Sequence, residues 1–339
     1  MKQPARAIAI LSLLIVLAAA GCGERIQPGE PVTVPLFSDV TVHFTPNDVG
    51  LYDSPFASAR DNGRIMATYR ELLAAGGRQR ITLKLAVRPI RKDIRNMIDR
   101  WDRAGFVRLV KPDMAPVELT RFMTAYGGAI SHEVDITHLA PLLQGHCEFE
   151  VFIDTWVSPA WKVDVDLVFT PDATGAVAPA AWAQGALFPD GGLTAEVPEA
   201  TARVVVPERS RKVLVAAITT GHCTDGRDAD EFITKDNVLL VDGIEVHRWR
   251  PWRDDCRDFR AVNPYCAKWS DGSWSSDYSR SGWCPGDVTR PEMIDLSSWL
   301  TPGEHTLTWR VEDIRPKDPA DEENHHGYWR ISASLVGWK

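Results

Sequence analysis

Apolar and polar residues alternate with a two-residue period at many separated places along the chain, the pattern of half-buried β-strands. Ile81, Leu83, Leu85 and Val87 share one face, as do Cys147, Phe149, Val151 and Ile153, and Val163 to Leu167 alternates with aspartates. Further on, Val213 to Ile218 reads as a strand. Val238 to Val246 reads as a hairpin about Asp242-Gly243, a pair suited to a tight primed turn. Leu307, Trp309 and Val311 fall on one face, and Trp329, Ile331, Ala333 and Leu335 form a last alternating strand. One segment departs from this period. Ile65, Tyr69, Leu72 and Leu73 recur at helical spacing, with Asn62 placed to cap a start and Gly76-Gly77 to end it. That spacing predicts an amphipathic helix between Asn62 and Gly76.

Many short strands separated by turn formers, here 24 Gly and 23 Pro, predict an all-β chain. The 339 residues, 44% of them apolar, suffice for two cores and therefore two antiparallel sandwich or jelly-roll domains packed side by side. Residues 170–186 are rich in Ala, Pro and Gly and lack a period. The expected division is an N-terminal domain over 36–172, a linker over 173–186 and a C-terminal domain over 187–339. Between Arg248 and Pro291 runs a long aromatic stretch with little strand character, a length of loop that compact domains keep for function.

The first residues read as an address. Lys2 and Arg6 precede an apolar run from Ala7 to Ala20, too short for a comfortable membrane span, and Ala19-Ala20-Gly21-Cys22 looks like a bacterial lipoprotein cleavage box. Residues 1–22 are therefore expected to be a leader, with Cys22 as the lipidated residue and 23–35 as a tether. The protein would be exported and held to the cell envelope through a lipid anchor alone. Outside the cytoplasm Cys223, Cys256, Cys266 and Cys284 may pair in any of three ways, whereas Cys147, on an apolar strand face, is expected as a buried thiol. The formal charge of -8 speaks against nucleic acid. No cysteine or histidine spacing suits zinc, and His325-His326 is no His-x-His pair for copper. No metal or other cofactor is expected, and neither a Gly-x-Ser-x-Gly elbow nor a phosphate loop appears.

An ordered set of short motifs carries the chemistry. Arg100-Trp101-Asp102-Arg103 precedes a strand; Glu133-Val134-Asp135-Ile136-Thr137 follows, then Leu142-Leu143 and Gly145, then Asp154-Thr155-Trp156. In the second half Asp230-Glu231-Phe232 lies between Gly221-His222 and a hairpin, and Arg280-Ser281-Gly282-Trp283-Cys284-Pro285-Gly286 closes the set. In order and rough spacing over residues 80–290 the chain resembles the peptide-N-glycosidase F family. The Gly-Trp-Cys-Pro-Gly block is the most specific part.

The resemblance implies two jelly rolls with a cleft between them and hydrolysis of the amide joining an N-linked glycan to asparagine, leaving aspartate. The partner would be an N-glycoprotein or glycopeptide, and the protein a monomer. Amide hydrolysis needs a base, a proton for the departing nitrogen and donors for the oxyanion, roles that close carboxylates in a dry cleft can divide. By the resemblance Asp102 is the primary catalytic carboxylate, Glu231 the second (with Asp230 as the neighbouring alternative), and Arg280 the catalytic guanidinium. Trp101, Arg103, Asp154, Trp156 and Trp283 would bind substrate. An acid and an indole at Asp154 and Trp156, opposite the apolar strand face, suit hydroxyls and an apolar sugar face. Two departures stand out. The family carries Glu where Asp154 stands, and Ala229 and Ile233 replace the cysteines that flank the family's second carboxylate. A sugar-binding surface lipoprotein without hydrolysis is the competing expectation.

Overall fold

The computed structural model describes residues 30–73, 78–93, 96–175, 178–223, 230–320 and 325–339. The expected leader, Cys22 and most of the tether lie outside them. Nine strands form in the first half: β1 (Val32–Val42), β2 (Ser58–Arg60), β3 (Ile65–Leu72), β4 (Gln79–Pro89), β5 (Ala104–Val110), β6 (Val117–Met123), β7 (Ile130–Asp135), β8 (Gly145–Ile153) and β9 (Trp161–Pro171). The second half adds β10 (Trp182–Leu187), β11 (Leu193–Thr194), β12 (Glu199–Val206), β13 (Lys212–His222), β14 (Asn237–Val241), β15 (Ile244–Trp249), β16 (Val288–Thr289), β17 (Glu292–Asp295), β18 (Gly303–Val311) and β19 (Tyr328–Trp338). β1 starts inside the stretch read as a tether and β10 inside the stretch read as a linker.

Two β-sandwiches result. In the first, the sheet β1-β9-β4-β7 faces the sheet β16-β6-β5-β8-β3-β2. The alternating residues of the sequence meet there: Leu83 and Leu85, Val163 and Val165, Val107 and Leu109, Phe149 and Val151 join one buried cluster. Each such side chain contributes roughly 1.5–3 kcal/mol by leaving water. Cys147 is a buried thiol in the same core. In the second, β10-β19-β13-β17, with β11 on β19, packs on β12-β18-β14-β15 around Val215, Leu239, Trp309, Ile331 and Leu335. The hairpin of β14 and β15 turns at Asp242-Gly243, both left-handed with φ 51° and 81°, as the pair predicts.

The expected helix is a strand. β3 pairs along its length with β8, from Ile65 opposite Phe152 to Leu72 opposite Gly145. Asn62 caps nothing; with φ 58° it lies in the tight connection from β2 to β3. Met66, Ala67 and Thr68 are all buried, so the ladder to β8 overrides a coincidental helical spacing of Ile65, Tyr69 and Leu72.

The halves are tied together. β16, from the second half, adds to β6, with Val288 opposite Phe122 and Thr289 opposite Arg121. Arg121, held by Glu118 at 2.6 Å, donates to the Thr220 hydroxyl of β13 at 3.0 Å. The long loop after β15 is pinned by the Cys256–Cys284 disulfide, one of the pairings left open by the sequence. Its buried Asn263 accepts a hydrogen bond from the Tyr126 amide at 2.8 Å and donates to the carbonyls of Phe259 and Pro285. The loop therefore docks on the first sandwich.

Candidate active site

Trp101, Asp102 and Arg103 form the extended run just before β5. Thr124 fixes this run from the next strand's end: its hydroxyl donates to the Trp101 carbonyl at 2.8 Å and accepts from the Arg103 amide at 2.7 Å. Below them lies Asp99, a buried carboxylate that sequence motifs did not single out. It accepts hydrogen bonds from Arg103 Nε at 3.0 Å and from the Thr155 hydroxyl at 2.6 Å. Asp99 thus ties the Arg103 side chain to the segment of Asp154 and Trp156.

Arg280 comes from the docked loop and is 1% exposed. Its backbone bridges to Arg253, and its Nη1 and Nη2 donate to the carbonyls of Tyr278 and Ser275, both at 2.8 Å. Phe232 and Trp283 flank the guanidinium, their ring centres 5.0 and 4.8 Å away. The next glycine has φ 84°, and a side chain on it would strike the Thr219 carbonyl; Gly286, φ 88°, lies equally close to Val262. Those two constraints are the physical content of the Gly-Trp-Cys-Pro-Gly block.

So fixed, Arg280 joins the two predicted acids. Its Nε donates to Glu231 Oε1 at 3.0 Å, and its Nη2 lies 3.6 Å from Asp102 Oδ2. Three groups far apart in sequence and from both sandwiches converge. Burial raises the Asp102 pKa against the opposing pull of Arg280. Burial likewise raises Glu231, to about 7, and the charge of Asp102 adds to the rise while Arg280 opposes it. For Arg280, burial works against the charge, but Asp102 and Glu231 outweigh it and the pKa is raised. Tyr126, also unsignalled by the motifs, lies beside Asp102; burial, then the Asp102 charge, raises its pKa and keeps the phenol protonated. Asp102 Oδ2, the oxygen that faces Arg280, accepts no hydrogen bond from the described residues.

Asp230, the neighbouring alternative, points elsewhere. It is buried, receives the Trp329 indole N–H and the Arg315 amide at 3.2 Å each, and lies 3.6 Å from Lys235. It anchors the backbone beside Glu231, where the family's cysteine pair is missing. Arg103 shows part of its guanidinium to solvent, and Trp101 is half-exposed (51%) with Tyr126 edge-on to it. Trp156, 56% exposed, offers a ring that Arg64 overlies at 4.9 Å. Two expectations need correction. Trp283 is 2% exposed and forms the wall behind Arg280, donating its N–H to the Gly221 carbonyl, so it offers no face to a ligand. Asp154 is no open acceptor: Arg64 holds Oδ1 at 3.2 Å and Arg330 holds Oδ2 at 2.8 Å. The carboxylate is bridged by two arginines, one just before β3 and one on β19.

Fold and site together define a two-domain jelly-roll protein with a carboxylate–guanidinium–carboxylate cluster between its sandwiches. The comparisons with known proteins agree. The family "Peptide-N-glycosidase F, N terminal" matches residues 108–169 and "Peptide-N-glycosidase F, C terminal" matches residues 193–336, and the chain belongs to the peptide-N-glycosidase F family. The peptide-N(4)-(N-acetyl-beta-D-glucosaminyl)asparagine amidase F of Elizabethkingia miricola is 25% identical over 238 residues, which is 63% of each protein. The structure of PNGF-II superposes with a TM-score of 0.79 at 23% identity, covering 91% of this chain and 65% of that one. PNGase F from Flavobacterium meningosepticum, described as a glycosylasparaginase, superposes with a TM-score of 0.66 at 17% identity, covering 91% and 96%. The chain therefore spans less than two thirds of the curated relative and of PNGF-II.

Proposed function

We propose that this protein hydrolyses the amide between an N-linked glycan and asparagine, releasing the glycan as a glycosylamine and leaving aspartate. The observation that carries the reading is Arg280 held between Asp102 and Glu231 in a largely buried site. Two acids and one fixed cation give a cluster whose proton content changes near neutrality, with Glu231 at about 7. In this reading Asp102 deprotonates the attacking water with Oδ2, which Arg280 faces without a hydrogen bond, and passes the proton to the departing nitrogen. Ionised Glu231 and Arg280 orient water and amide, and the guanidinium compensates the charge developing on oxygen. Trp101, Arg103 and Trp156 receive the sugar and the flanking chain. Family membership supports the same reaction class.

One observation favours a second reading, a sugar-binding protein without hydrolysis: the third family carboxylate, here Asp154, is locked by Arg64 and Arg330. Incubation with a denatured N-glycoprotein separates the two. Hydrolysis frees the glycan, converts each occupied Asn to Asp by mass, and is abolished by Asp102→Asn; retention of the glycoprotein with no release supports the second reading.

We also propose export with a lipid on Cys22. The Cys256–Cys284 disulfide supports an oxidising compartment. Mass analysis of the protein isolated from membranes tests it: a diacylated Cys22 as first residue is the expected result, and an unmodified amino terminus upstream of Cys22 is the opposite.

A further inference from the structure

A cavity of about 580 Å³ lies where the outer face of β5 and β8 meets the turn after β10 and the start of β19. Its volume suits a ligand of several rings. It neighbours the acid–arginine cluster, none of whose three members is in its lining. Asp154, on its rim, donates its amide to the carbonyl of Ala104, two residues after Asp102. Tyr328, also in its lining, stacks on His222, which stacks in turn on Trp283 behind Arg280.

The chemistry of the lining selects among ligands. Phe106 and Phe152, buried beneath the Arg108 and Arg330 guanidiniums, stack at 4.8 Å as the cavity's floor; Phe188, edge-on to Phe106 at 5.2 Å, and Trp156 are its more exposed rings. Four arginines reach the cavity, and each has a carboxylate partner: Arg64 with Asp61, Arg108 with Glu150, Arg121 with Glu118, Arg330 with Asp154. Asp190 adds an almost fully solvated carboxylate 3.9 Å from Arg108. Donors and acceptors of both signs line an aromatic hollow with no surplus positive charge. An anionic ligand gains nothing here, and a purely apolar one would strand the charged groups. A neutral, hydroxyl-rich ligand satisfies them and lays a C–H face on Trp156 or on Phe188, the rings that keep exposed surface.

We propose that this cavity is a subsite for the neutral outer sugars of the glycan, beyond the residues at the reacting amide, with Phe188 and Asp190 as its specificity-determining side chains. The inference rests on the proposed reaction, whose substrate would enter between Asp102 and Trp156 and continue along β5 and β8.

The test compares Phe188→Ala and Asp190→Ala with wild type on two glycopeptides, one carrying a neutral mannose-rich glycan and one trimmed to two N-acetylglucosamines. The expected result is a fall of about tenfold in kcat/KM for the long glycan, the worth of one ring or hydrogen-bond contact, and an unchanged value for the trimmed one. Equal effects on both, or on neither, overturn the subsite. Asp190 is on the surface, so its variant folds even where Phe188→Ala loosens the turn. Calorimetry with the free mannose-rich oligosaccharide is the independent arm. Binding to wild type that Asp190→Ala weakens supports the subsite even where no substrate is hydrolysed, an outcome that sinks only the amidase reading. Wild type that neither binds the oligosaccharide nor prefers the long glycan sinks the subsite alone.

Discussion

The Arg280 guanidinium donates to Glu231 Oε1 at 3.0 Å, joining a loop beyond β15 to a segment that precedes β14. This contact does two things at once. It stops two buried acids from repelling each other apart, and it still leaves Glu231 with a proton affinity centred near neutral pH.

Replacing Arg280 exposes both effects. Arg280→Ala strands Asp102 and Glu231 in a largely buried site and leaves two carbonyls without their Arg280 donors, so stability falls by about 3–5 kcal/mol in a denaturant titration. Arg280→Lys keeps the charge but loses the fork, and glycan release falls by roughly a hundredfold or more with a smaller loss of stability. A lysine variant at wild-type rate would remove Arg280 from the mechanism.

The raised pKa of Glu231 fixes a pH dependence. Its folded value is about 7 against an ordinary 4.5. Between these two pH values the folded state holds more protons than the unfolded, so stability declines as pH rises and the loss is complete above about 7, at most about 3.5 kcal/mol. Glu231→Gln flattens that part of the stability curve. For activity, ionised Glu231 orients water, so kcat rises through about pH 7 and then levels, and the variant loses that limb.

Asp99 acts through Arg103. Asp99→Asn keeps a group for the Thr155 hydroxyl but removes the charge that holds Arg103, a change of about 1.5–3 kcal/mol for a charge-assisted bond. KM for glycopeptide should rise more than kcat falls. A loss of kcat alone, with KM unchanged, would contradict a positioning role.

Asp154 behaves as a strut. Asp154→Ala leaves Arg64 and Arg330 without their shared partner and lowers stability by about 1–3 kcal/mol, while kcat stays within about threefold of wild type. A collapse of kcat with stability intact would give Asp154 a part in the reaction itself.

Reduction of Cys256–Cys284 frees the loop that carries Arg280. Closing a loop of this length, a separation of 28 residues, is worth about 3 kcal/mol. Cys256→Ser/Cys284→Ser should melt at lower temperature and lose most of its glycan release, because Arg280 and Trp283 sit four residues or fewer from the bridge; an unaffected rate would show that the aromatic packing alone holds the loop.

The sequence by itself determined the strands, their buried faces and the turn at Asp242-Gly243, because alternation and left-handed turn positions are local requirements of the backbone. It also marked Asp102, Glu231 and Arg280, through short motifs in family order, of which only the Arg280 block carries glycines at left-handed positions, Gly282 and Gly286. Only the tertiary structure decided the rest. β3 is a strand because β8 lies beside it, whatever its own spacing suggests. Glu231 rather than Asp230 meets Arg280 because Trp329 and Lys235 claim the other carboxylate. Asp99 and Tyr126 join the site, and Asp154 and Trp283 recede from the ligand, through contacts with residues distant in the chain. Proton affinity and availability belong to a side chain's surroundings, and those surroundings exist only once the two sandwiches have packed.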